Sequence, residues 1–103
     1  MTSTNEPRVE TIFKAPGVQV LHTTLRPGQE IPWHFHSGLR DTFYGVQGTV
    51  TIVTRNPEGR MELQPGETFV VQSGQPHSVL NETDGEAQFL LIQGIGDYDF
   101  HAI

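Results

Sequence analysis

The chain contains no cysteine. Disulfide frameworks, thiolate zinc sites and cysteine nucleophiles are therefore excluded at once. Cations are scarce as well: six Lys and Arg stand against twelve Asp and Glu, for a net charge of −6. A phosphate backbone rewards clustered cations, and none cluster here, which argues against a nucleic-acid partner. No run of eighteen apolar residues occurs, as a membrane-spanning helix would require. The first ten residues, "MTSTNEPRVE", have neither a basic cap nor an apolar segment. No secretory leader is expected, and the cytoplasm is the expected location. Long helices lack room too, because no stretch free of Gly and Pro reaches ten residues.

What is present is a rhythm of turns. Pro16-Gly17, Pro27-Gly28, Ser37-Gly38, Gly48, Asn56-Pro57-Glu58-Gly59, Pro65-Gly66, Gly74-Gln75-Pro76, Asp84-Gly85 and Gly94 punctuate the chain. Their spacing of about eight to eleven residues is that of short strands joined by turns. The intervening segments, such as "VQVLHTTL", "TVTIVTR" and "AQFLLIQ", are rich in β-branched and apolar residues. "NPEG" predicts a hairpin loop in which Pro57 fixes φ and Gly59 supplies the positive φ. A chain of 103 residues suits one domain. Residues 1–8 are expected to form a flexible tail and 9–103 a single all-β domain, a sandwich or small barrel. "VETIFKA" and "FLLIQGIG" read as apolar edge strands, so a homodimer is expected.

"PWHFHSGLRD", from Pro32 to Asp41, carries the chemistry. Side chains alternate along a strand, so His34 and His36 share one face while Phe35 takes the other. Two imidazoles placed in this way grip one metal ion, as a histidine pair at i and i+4 does on a helix. The Asp41 carboxylate follows five residues after His36.

At this point the sequence resembles the cupin superfamily. "GQEIPWHFHSGLRDTFYGVQG" is similar to its first motif, with Gly28, His34, His36 and Gly48 in register and Asp41 where the family usually has glutamate. "GETFVVQSGQPHSVLN" is similar to the second, with Gly66, Gly74, His77 and Asn81 in register and Gln72 where proline is usual. The resemblance implies an antiparallel jelly-roll barrel with one divalent metal ion inside it. The implied ligands are His34, His36, Asp41 and His77. Asp is a methylene shorter than Glu, so three arrangements stay open. The strand carrying Asp41 sits closer, Asp41 acts through water, or Asp41 orients a histidine ligand.

A nitrogen and oxygen ligand set without sulfur suits Fe, Mn, Ni, Zn or Cu. Phe43 shares strand parity with Asp41 and is expected as an apolar pocket wall, with Phe89 and Leu91 in the core. His22 and His101 are expected away from the site, and Arg40 points away from the metal. No second acid or base falls within the motifs, which leaves chemistry that the metal itself can do. The expectation is a metal-dependent, dioxygenase-like enzyme acting on a small organic acid. The alternative is a non-catalytic module that binds a metal and a carboxylate- or carbonyl-bearing ligand.

Overall fold

The computed structural model describes residues 6–103, and no helix occurs among them. Most of the tail expected over residues 1–8 lies outside the described residues; Arg8 itself opens the first strand, opposite Thr24. Ten strands follow in order: β1 (Arg8–Ala15), β2 (Val18–Leu25), β3 (Glu30–Phe35), β4 (Arg40–Gln47), β5 (Val50–Thr54), β6 (Gly59–Leu63), β7 (Thr68–Val71), β8 (His77–Leu80), β9 (Ala87–Gly94) and β10 (His101–Ala102). They form two five-stranded sheets, β1-β2-β9-β4-β7 (sheet I) and β10-β3-β8-β5-β6 (sheet II). Neighbours within each sheet are antiparallel, and the two sheets face each other as a jelly-roll barrel.

Period-two patterning explains the packing. Along β9, Ala87, Phe89, Leu91 and Gln93 are buried while the residues between them are less so, and along β4 Asp41, Phe43 and Gly45 alternate in the same way. The core between the sheets is Leu25, Phe43, Val50, Ile52, Leu63, Val71, Val79, Ala87, Phe89 and Leu91. Phe43 and Phe89 meet with ring centroids 5.4 Å apart at 43°, a contact that adds about 0.5–1.5 kcal/mol beyond burial. Gly45 sits at a bulge where β4 slips against β9. A Cβ there would stand 2.2 Å from the Gln64 carbonyl oxygen, so only glycine admits that backbone approach.

Two sequence expectations are corrected. In the β5–β6 loop the positive φ belongs to Asn56, at 57°, and not to Gly59, which opens β6 opposite Thr54. Asn tolerates this region through its short polar side chain. "FLLIQGIG" is also not an edge: β9 runs between β2 and β4 in the middle of sheet I, whereas β1 is an edge strand. No helix among the described residues is long and apolar enough to cross a membrane.

Candidate metal centre

His34 lies on β3, and His36 follows just past its end on the same face. Phe35 turns to the other side and stacks on His101, with centroids 4.7 Å apart. Register places His77 of β8 directly opposite His34, so their rings come within 4.2 Å. Asp41 enters from β4 in the other sheet, and the site is thus built across the barrel. All four residues are buried, and their potential ligand atoms lie within 4.8 Å of one another. That span is close to twice a metal–nitrogen distance of about 2.1 Å.

Hydrogen bonding fixes which atoms face inward. The Nδ1 atoms of His34, His36 and His77 meet the backbone carbonyls of Pro32 at 2.7 Å, Asp99 at 2.5 Å and Gln75 at 3.0 Å. A carbonyl only accepts, so each Nδ1 carries a proton and donates it. In the neutral form each ring then presents the Nε2 lone pair to the centre. Asp41 Oδ2 stands 3.2 Å from Nε2 of both His36 and His77. Its other oxygen, Oδ1, accepts from Gln93 Nε2 at 3.0 Å. Gln93 is in turn held by Gln19, whose Nε2 donates to Gln93 Oε1 at 2.5 Å.

Three Nε2 atoms and the Asp41 Oδ2 thus converge on one small volume, an arrangement that calls for a proton or a metal cation between them. Protonation behaviour agrees. Burial, aided by the neighbouring rings of His77 and His36, lowers His34 to about 4, so it is neutral at physiological pH. Burial also works against a charged His36, but the Asp41 carboxylate and the Asp99 carbonyl outweigh it and raise its pKa. For Asp41, burial is likewise overcome, here by hydrogen bonds from His36, His77 and Gln93, and its pKa falls below the ordinary carboxylate range. A site that holds a proton this way is built for positive charge, and the donor set fits a divalent metal.

The remaining walls come from two sources. Phe43 is fully buried and meets the His77 ring edge-on, with centroids 6.3 Å apart. The segment after β9 folds back as a strap. Phe100 stacks on His34 at 4.5 Å and 16°, and the Tyr98 ring lies 5.4 Å from that of His36. The Asp99 carboxylate binds the amide and hydroxyl of Ser37 and pairs with His101. These contacts hold the Asp99 pKa below the usual range. Burial, with Asp41 and Asp99 nearby, raises that of Tyr98 and keeps its phenol protonated.

Of the other residues singled out in the sequence, none joins the site. His22 bonds Gln88 at 3.1 Å, and His101 is exposed beside Phe35. Arg40 is exposed. Asn81 of the second motif is structural: its amide donates to the carbonyls of Leu25 and Gly85, and its oxygen accepts from Thr83. Sequence reasoning missed Gln93, Tyr98, Asp99 and Phe100. Gln93 carried a usable signal, since it shares inward parity with Phe89 and Leu91 on β9.

The family profile described as "Cupin domain" matches residues 21–93. Among solved structures, an uncharacterized conserved protein with a double-stranded β-helix domain from Klebsiella pneumoniae is similar at TM-score 0.83 and 24% identity, over 97% of this chain and 86% of that one. TT1209 from Thermus thermophilus is similar at TM-score 0.80 and 25% identity, over 90% and 87%. An oxalate oxidase in complex with glycolate gives TM-score 0.83 at 18% identity, covering 98% of this chain but only 57% of the oxidase. The low identity and partial coverage restrict that likeness to the fold. No curated protein matches the chain in sequence. Since the profile spans well over half of the chain and the barrel carries both histidine motifs on neighbouring strands of one sheet, the protein belongs to the cupin family.

Proposed function

We propose that this protein binds one divalent transition metal through His34, His36, Asp41 and His77 and uses it to bind a small organic acid. The observation that carries this reading is the convergence of four buried ligand residues whose histidine Nδ1 atoms all donate to carbonyls. A bound metal would supply Lewis acidity and, if redox-active, oxygen chemistry. The chain's own part is to orient and to exclude water. Gln93 fixes Asp41, the three carbonyls fix the imidazoles, and Phe43 and Phe100 dry the surroundings. The solved structures that share the fold include an oxalate oxidase with glycolate and an oxalate decarboxylase formate complex from Lactobacillus farciminis, which makes small carboxylates the first ligands to try.

A dioxygenase-like reaction is the enzymatic form of this reading. A binding module is the second form. It is favoured because Gln93, Phe43 and Phe100, which stand against the ligand residues, cannot move protons, and the Tyr98 phenol beside His36 is held protonated. Elemental analysis of protein purified without added metal should give one metal per chain, and His34→Ala/His36→Ala should abolish it. Full occupancy in that double variant would show that the site is wrong. Calorimetry with glycolate should then show binding to loaded protein and none after chelation. Oxygen consumption selects the dioxygenase.

A further inference from the structure

Close to the metal ligands lies an open pocket of about 410 Å³, whose walls include Lys14, Gln19, Leu39, Gln93, Asp97 and Tyr98. Two of these walls touch the centre itself. Gln93 donates to Asp41 Oδ1, and Tyr98 lies against His36. Pocket and centre therefore share two walls.

Strand register explains how Lys14 comes to be there. Lys14 pairs with Gln19, Gln19 with Gln93, and Gln93 with Asp41, so the four form one row across β1, β2, β9 and β4. Cross-strand partners point to the same face of a sheet. The row begins at a buried carboxylate, continues through two amides joined to each other, and ends in an exposed ammonium. Three inter-strand steps put the Lys14 backbone about 14 Å from that of Asp41. A lysine side chain pointing back along the row shortens the gap to a length that a short aliphatic chain can span.

We propose that this pocket seats the body of a metal-chelating acid and that Lys14 selects ligands with a second carboxylate at the far end. The inference rests on the carboxylate-binding reading of the metal centre. Ala15, Val18 and Leu39 supply the apolar wall that a methylene chain needs. Lys14 is the single cation among the described lining residues, in a protein of net charge −6. Tyr98 adds a phenol hydroxyl to the wall. Asp97 stands on the same rim and opposes Lys14, so it reports the sign of the charge selected.

The test is calorimetry on metal-loaded protein with glycolate, hexanoate, adipate and aminocaproate. Glycolate needs only the metal, hexanoate adds the chain, adipate adds the far carboxylate, and aminocaproate replaces that carboxylate by an ammonium. Adipate should bind about fivefold tighter than hexanoate, the upper end for an exposed charge pair. Lys14→Ala and Lys14→Gln should each remove that preference, bringing adipate to the level of hexanoate in the same variant, and Asp97→Asn should strengthen adipate. Lys14 is exposed on an edge strand, and an unchanged melting temperature confirms that the variants fold. Equal binding of adipate and hexanoate, a preference that survives both Lys14 variants, or tighter binding of aminocaproate would each overturn the assignment. Loss of glycolate binding as well would mean instead that the carboxylate reading of the centre has failed.

Discussion

Each site histidine uses Nδ1 to hold a main-chain carbonyl, so its orientation does not depend on the metal. Asp41 is held as firmly, by Gln93 on one oxygen and by two imidazoles on the other. Without metal, this leaves a coupled carboxylate–imidazole pair whose pH dependence follows from the two shifts. His36 is raised, so its contribution is complete below the unfolded value of about 6.5 and is lost as pH rises through the folded value. Asp41 is lowered, so its contribution is complete above about 3.9 and is lost as pH falls through the folded value. Both operate together between about pH 4 and about pH 6.5. Thermal melts of chelator-treated protein should therefore show an advantage over Asp41→Asn that is largest in this window and shrinks at higher pH. An advantage as large at pH 8 as at pH 5.5 would contradict the coupling. Metal should reverse the trend, because it displaces the protons and binds more tightly as pH rises.

Among the elements, the strap after β9 contributes most that the motifs do not announce. It reaches the centre because Gly38 and Gly96 pass backbone to backbone: a Cβ on Gly96 would stand 1.9 Å from the Gly38 carbonyl oxygen. It ends in β10, whose His101 and Ala102 pair with Phe35 and His34. Removing residues 97–103 deletes the carbonyl that orients His36 and the ring that covers His34, yet leaves nine strands in place. Loss of such an orienting partner costs about 10- to 100-fold in metal affinity. Chelator competition on the truncated protein should show that loss, and unchanged affinity would assign the strap no role at the metal. The grouping of the histidine pair was legible through strand parity, and that of Asp41 and His77 with it through the two cupin-like motifs. The strap was not, since Asp99 acts on His36 through a main-chain carbonyl that any residue possesses. Sheet order was equally hidden. β9 pairs with β2 and β4, both far away in the chain, so apolar content alone misplaced it at an edge.

For the whole molecule, the outer face of sheet I carries an apolar row that no described residue covers fully. Phe13, Val20, Ile92, Thr42 and Val70 are successive cross-strand neighbours on β1, β2, β9, β4 and β7, and they make one uncharged row across all five strands. Phe13 is 54% exposed, and Ile92 and Val70 are each 37% exposed. The row starts on β1, an edge strand. Two copies carrying −6 each repel at long range, so a stable contact between them has to use a surface free of charge, and this row is one. A two-fold axis would lay one row against the other and cover both β1 edges at once. We therefore expect a homodimer through this face, with twice the 11.5 kDa chain mass in light scattering at micromolar concentration. Phe13→Asp and Ile92→Asp place carboxylates in the row without touching the core, and each should return the protein to 11.5 kDa with its metal content intact. A wild-type mass of one chain across that range would dismiss the dimer, and a dimer that persists in both variants would move the interface to another face.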